Sequence, residues 1–227
     1  MSASAAFPRN AATNFQSIEN PSVTVGGSAA QWDAWGFAVD TTRNGLWVGA
    51  TWIQLQADER GVCGWSVAGT EALLGLPPAA TRPPEVAGSS GREGGANQQH
   101  PNGVTGIDHV VVSHPNLEAA ESDLLGAGIE IRRWRDVPAA SLRQGFAWLG
   151  DVVLELIGPT EARPGNAAFF GLALTSSDLH ATAAAFGPAS SEVRDAVQPG
   201  RSIITIDTGP ADRPKWLAVM SPHPPRA

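Results

Sequence analysis

The sequence predicts an α+β protein: repeated βαβββ modules forming curved mixed or antiparallel sheets, with helices on the outer face. Three observations predict it. Residues 106–159 and 169–222 run through one order of elements twice, and a fainter copy of that order precedes them at 22–56. Between the faint copy and the clear ones lies "LPPAATRPPEVAGSSGREGGANQQHPNG" (76–103), dense in Pro, Gly and Ser and poor in large apolar groups. A sheet with one helix has a second face that must be buried or filled, so units of this kind pair, and two side by side curve into a cup.

The elements of the clear copies follow in order. "GIDHVVVS" and "FFGLALTS" are apolar runs bounded by turn residues, the pattern of a buried strand. Pro115-Asn116 and Ser177-Asp178 come next, Asx-containing turns whose side chains can cap a following helix. "LEAAESDLLGAG" and "LHATAAAFG" carry Ala and apolar residues at helical spacing. The pairs Arg135-Asp136 and Arg194-Asp195 stand at corresponding places after the helix, and two more short strands and a Pro close each copy.

The N-terminal copy offers a strand at Ser22, a helix with Trp32 and Trp35 on one side, then three strands. Its "GLWVGATWIQL" lies over "AWLGDVVLEL" with Gly49 on Gly150 and Gln54 on Glu155. "CGWSVAGTEALLGL" (63–76) matches the opening of the last unit, a strand and short helix, and then stops. The chain thus divides into an N-terminal segment (1–19), one compact module plus a partial one (20–76), a Pro/Gly-rich linker (77–104) whose composition does not bury enough surface to offset its ordering, a domain of two modules (105–222) and a tail (223–227).

Composition narrows the function. A net charge of −7 and an isoelectric point near 5.2 argue against nucleic acid or an anionic membrane as partner. Arg132, Arg133 and Arg135 form the one dense basic cluster, read as a solvated face, a structural ion pair or an anionic-substrate contact. The single cysteine, Cys63, excludes an intramolecular disulfide and reads as a buried inert thiol. The opening "MSASAAFPRNAATNFQ" lacks a charged head before an apolar run, so no secretory signal is expected, and no stretch has the length of a membrane span. A cytoplasmic protein is expected. No nucleophile elbow or phosphate-binding loop is present. Eight Trp beside no Tyr read as core packing, or as an aromatic-lined pocket.

One residue stands out of its setting: His109, within the run Ile107, Val110, Val111 and Val112. On the last strand of the same unit, Val153 and Glu155 share one face while Val152, Leu154 and Leu156 share the other. The carboxylate therefore points away from the helix side and into the cup. His114, His180 and His100 fall in a turn, a helix and the linker, and read as solvated; His223 falls in the tail.

With "IDHVVV…NLEAA…GAGI…RRWRD…RQGFAWLGDVVLELIGP" and its second copy "GLALTSSDLHATAAAFG…RDAVQPGRSIITID…LAVMSP", the chain resembles the vicinal oxygen chelate superfamily of glyoxalases, extradiol dioxygenases, epimerases and drug-binding proteins. The resemblance covers 105–222 and, more faintly, 20–76. It implies a glyoxalase-like protein acting on or binding a small oxygenated molecule, as a lyase, isomerase or dioxygenase-type enzyme, or alternatively as a metal-free sequestering protein with an aromatic cup. It places family ligand positions at His109 and Glu155, which suit Zn, Ni, Mn or Fe. The equivalents are Gly171 and Ala218 in the second copy, which bind no metal, and Ser22 and Gln54 in the first, of which only Gln54 is a ligand type. Three roles stay open for His109 and Glu155: a structural pair, metal ligands, or a metal-free catalytic acid and base. Trp148, Arg143 and Gln144 are the expected substrate contacts. A homodimer is a further expectation, and the cofactor is a divalent metal or none.

Overall fold

The protein is described by a computed structural model covering residues 20–67, 70, 72–84, 98–209 and 215–224. The expected N-terminal segment and the last three residues of the tail lie outside the described residues. The N-terminal part contains β1 (Ser22–Gly26), α1 (Ala29–Ala34), β2 (Gly45–Val48), β3 (Thr51–Gln56) and β4 (Val62–Ser66). Then follow β5 (Val104–Ser113), α2 (Leu117–Gly126), β6 (Arg133–Val137), β7 (Leu142–Leu149) and β8 (Val152–Pro159). The last unit is β9 (Ala168–Ser176), α3 (Leu179–Phe186), β10 (Arg194–Asp195), β11 (Ser202–Ile206) and β12 (Leu217–Met220).

These strands form two mixed sheets, of order β2-β3-β1-β4 and β10-β11-β12-β9-β5-β8-β7-β6. The larger sheet is two βαβββ units joined through antiparallel β5 and β9, with β8 parallel to β5 and β12 parallel to β9. The helices begin where the Asx turns put them. Asn116 Oδ1 accepts the Ala119 N–H at 3.1 Å, and Asp178 Oδ1 accepts those of His180 and Ala181, both at 3.0 Å.

One register recurs in three units. Glu155 lies opposite Val111, two residues beyond His109; Ala218 lies opposite Ala173, two beyond Gly171; Gln54 lies opposite Thr24, two beyond Ser22. The repeat read from the sequence is therefore a repeat of strand pairing. Two details differ from expectation. Within residues 22–56 two strands, not three, follow α1, because residues 40–45 close into a tight turn. There the Asp40 carboxylate accepts the backbone N–H groups of Thr42 and Arg43, and Asn44 takes a left-handed φ of 50°. The short helix expected after β4 is a single 3-10 turn, Leu73–Gly75, entered through Ala72 at φ 60°.

The partial unit is nonetheless completed in miniature. Trp65 donates its N–H to Pro77 O at 3.0 Å, and its carbonyl accepts from Ala79 at 2.9 Å, so Pro77–Ala79 runs parallel to β4 as β12 runs parallel to β9. Close approach of that segment explains a glycine in both strands. A Cβ on Gly64 would lie 2.3 Å from Pro78 O, and one on Gly171 3.0 Å from Trp216 O.

One apolar core joins the two sheets. Val110, Val112, Leu154, Leu156, Leu172 and Leu174 line the face of the large sheet that packs against α2, α3 and the N-terminal sheet. Across this seam Trp65 meets Phe169, and Trp35 and Phe37 both meet Phe186. The C-terminal end of the expected linker is a polar stitch along the same seam. Gln98 accepts the Trp47 N–H and donates to Ala38 O; His100 accepts the Ala38 N–H at Nδ1 and reaches Trp47 O at 2.9 Å through Nε2. Buried Asn102 donates to Trp35 O and accepts from Val104 N–H. His100 is thus buried, against the solvated position expected from its setting, because both ring nitrogens find backbone partners.

Burial lowers the His100 pKa below its ordinary value, opposed in part by the bond to Trp47 O. A histidine that is harder to protonate when folded costs stability as pH falls below its unfolded value of about 6.5. Unfolding midpoints in urea are therefore expected to fall between pH 7 and 5, and His100→Gln to flatten that slope. His223, shifted the same way, retains a share of it.

Candidate functional site

The face of the large sheet opposite the core is open. Alternation places His109, Val111 and Ser113 of β5, Val153, Glu155 and Ile157 of β8, and Gln144, Phe146 and Trp148 of β7 on it. Asp108 would fall on the core face by the same rule. It does not, because the β5–β9 register shifts between Ile107 and His109: Ile107 pairs Leu174 while His109 pairs the next residue, Ala173. This bulge leaves Asp108 as the extra residue and turns its carboxylate to the side of the histidine.

A chain of polar groups results. His109 Nδ1 lies 2.8 Å from Asp108 Oδ1, and His109 Nε2 lies 3.8 Å from Glu155 Oε2. Gln144 Nε2 donates to Glu155 Oε1 at 2.7 Å from the neighbouring strand. On the other side Asp108 Oδ2 accepts from Arg201, a residue only 2% exposed, and from Thr175 Oγ1 at 3.3 Å. Arg201 spends its remaining donors on Ser221 O, at 2.9 and 2.6 Å, and on Gln198 Oε1 at 2.6 Å. His223 Nε2 is 3.3 Å from the same guanidinium, so this part of the expected tail is packed into the network.

The electrostatics keep Asp108 ionised. Burial pushes the Asp108 carboxyl up, but hydrogen bonds from His109 and Arg201, with their charges, outweigh it and hold Asp108 well below the usual carboxylate range. An ionised Asp108 accepts the Nδ1–H, so Nε2 is the ring nitrogen that faces Glu155. At 3.8 Å the two groups are beyond hydrogen-bond distance, and both remain partly open to solvent, at 17% and 19% exposure.

Other expected site residues lie elsewhere. Gln54 is in the small sheet, where it accepts from Trp52 Nε1 and Thr81 Oγ1 and donates to Arg43 O and Asn44 O; it has no free capacity for a metal and no route to the cup. Arg143 is on the helix side of β7, 4.8 Å over the Trp134 ring and 3.2 Å from Asp136, so it does not share the cup with Gln144. Trp148 stands opposite Val153, which in turn stands beside His109. Cys63 is half-buried with its thiol pushed up by burial, which fits the inert reading.

The donor set does not fit a resident divalent metal. Among the described residues no group of three or more His, Cys, Asp or Glu side chains is arranged to hold one. His109 and Glu155 contribute two ligands, the equivalent positions Gly171 and Ala218 contribute none, and catalytic sites usually take at least three from the protein. Sequence reasoning missed Asp108 and Arg201. Strand alternation puts Asp108 on the wrong face, and Arg201 sits in a Gly-Arg-Ser turn that reads as solvated.

No protein-family model matches the chain, and no curated protein matches it. Among solved structures it is similar to methylmalonyl-CoA epimerase from Mycobacterium tuberculosis, at 18% identity over 54% of this chain and 91% of that one, TM-score 0.42. It is also similar to a hypothetical protein from Bacillus halodurans C-125, at 13% identity over 53% and 96%, TM-score 0.41. A variant of Streptomyces coelicolor methylmalonyl-CoA epimerase in complex with 2-nitronate-propionyl-CoA matches at 17% over 53% and 96%, TM-score 0.39. Among the described residues no helix is long and apolar enough to cross a membrane.

Asp108→Asn removes the partner of a buried guanidinium and is expected to cost about 3 kcal/mol or more, read from urea unfolding. Because the folded carboxyl titrates below its unfolded value of about 3.9, its contribution is complete above that pH and is lost on further acidification. The variant should accordingly lose part of the wild type's acid-limb slope, while Asp40, held low by hydrogen bonds from Thr42 and Arg43, retains a share of it.

Proposed function

We propose that the cup acts on a small oxygenated molecule by metal-free proton transfer, with His109 and Glu155 as the acid–base pair. One observation carries this reading: two proton-accepting atoms, His109 Nε2 and Glu155 Oε2, face each other across 3.8 Å on an open sheet face. Each is held from behind, His109 by Asp108 and Glu155 by Gln144. A structural pair would close to hydrogen-bond distance; a gap of this size suits a proton donor placed between them.

The chemistry that fits is removal of a proton from carbon next to a carbonyl. Nε2 or Oε2 takes the proton, the C–H electron pair moves toward the carbonyl oxygen, and return of a proton to carbon completes an isomerisation or exchange. Asp108 stabilises the imidazolium when Nε2 is protonated, and Arg201 keeps Asp108 ionised throughout. A second reading, a binding protein that sequesters a flat apolar ligand, is favoured by Phe146 and Trp148 standing on the same face.

Deuterium wash-in from heavy water, followed by proton NMR over a panel of small 2-oxo acids, α-hydroxyketones and acyl thioesters, separates the two. Exchange catalysed by the wild type and reduced by about 100-fold in both His109→Ala and Glu155→Gln is the expected outcome. Exchange that is absent across the panel, while Trp fluorescence is still quenched saturably by a panel member, would leave the sequestering reading standing instead.

A further inference from the structure

The acid–base pair occupies the centre of the cup, and the edge strand β6 closes one side of it. There the pairing with β7 decides which arginines face inward. Arg133 lies opposite Phe146 and Arg135 opposite Gln144, while Phe146 itself lies opposite Glu155. Directly opposed residues of antiparallel strands share a face, so Arg133, Phe146 and Glu155 form one row across three strands. The alternate residues face the helix side. Trp134 fills the space above Gly145, where a Cβ would lie 2.8 Å from its ring, and its Nε1 reaches Glu121 of α2.

The neighbouring cations are already committed. Arg132 pairs with Glu130 at 2.9 Å, and Arg143 with Asp136. The side chains of Arg133 and Arg135 have no ion pair or hydrogen-bond partner among the described residues, although the chain as a whole carries a net charge of −7. Two residues apart on one strand, they are separated by about 6.7 Å, within the span of two forks on one oxyanion, and neighbouring strands lie about 4.8 Å apart.

We propose that Arg133 and Arg135 clamp the oxyanion of a small substrate, a carboxylate or a phosphate, and so hold its acidic carbon across Phe146 toward Glu155 and His109. The clamp names the substrate class of the cup and rests on the acid–base reading for its catalytic consequence, while anion binding is measured independently of it. Arg133 and Arg135 act as binding residues; they take no part in moving the proton.

The test is calorimetric titration of the full chain with succinate and, separately, with inorganic phosphate, at near-physiological salt. One of the two anions is expected to bind, and which one does so identifies the headgroup. Arg133→Gln and Arg135→Gln should each weaken that binding at least 10-fold with far-UV circular dichroism unchanged. Arg133→Lys should restore only part of it, since charge returns without the fork. Glu155→Gln should keep or tighten the binding, having removed a nearby negative charge, while losing deuterium exchange. Binding of neither anion, or wild-type affinity in both arginine variants, overturns the clamp. A loss in Glu155→Gln as large as in the arginine variants also overturns it, by placing the anion elsewhere. Exchange that still depends on Glu155 when the arginines prove silent removes the clamp alone and leaves the acid–base reading intact.

Discussion

The ion pair between Arg201 and Asp108 is the constraint around which the cup is arranged. Both partners are almost fully buried, and neither can be left alone at tolerable cost. Asp108 reaches its partner only because β5 carries one extra residue against β9. The same bulge gives His109 a fixed acceptor behind its ring. A single irregularity in strand pairing therefore serves two ends: the groups that anchor the C-terminal unit to the centre of the sheet also decide which histidine nitrogen faces Glu155. Arg201 belongs to the last unit and His109 to the central one, so the histidine is oriented across the joint between them.

Much of the architecture was legible in the sequence because it depends on local signals that repeat. Strand alternation placed Glu155 and Val153 together, Asx residues marked the starts of α2 and α3, and the Arg-Asp pairs fell on β6 and β10. The alignment of Gln54 with Glu155 proved to be an alignment of strand register. What stayed hidden depends on pairing between distant strands. Parity assigns Asp108 to the core, and only the β5–β9 shift reverses it. Arg143 and Gln144 are neighbours in sequence and were read together, yet adjacent strand residues face opposite sides, and only Gln144 reaches the site. His100 was legible as a residue of a polar segment and not as a buried one, because its partners, the backbone at Ala38 and Trp47, lie more than fifty positions away.

The three copies of the unit have diverged in what fills their open faces. In the central unit the face is polar and reachable. In the last it is lined by Gly171, Ala173 and Ala218, small residues without polar side chains. In the first, Gln54 is saturated by Thr81, Trp52 and backbone carbonyls, and Thr24 accepts the Ala80 N–H, so the chain has plugged that hollow with its own following segment. One repeated frame thus supplies a polar wall, an apolar wall and a sealed one.

The seam between the two sheets has a consequence for assembly. The core side of the eight-stranded sheet is occupied by residues of the same polypeptide, from Trp35 and Phe37 to Trp65. That cover is covalently tethered, so dilution does not remove it. A second copy that extended the large sheet would have to add at its outer edges, β6 or β10, and addition at β6 would cover the strand that carries Arg133 and Arg135.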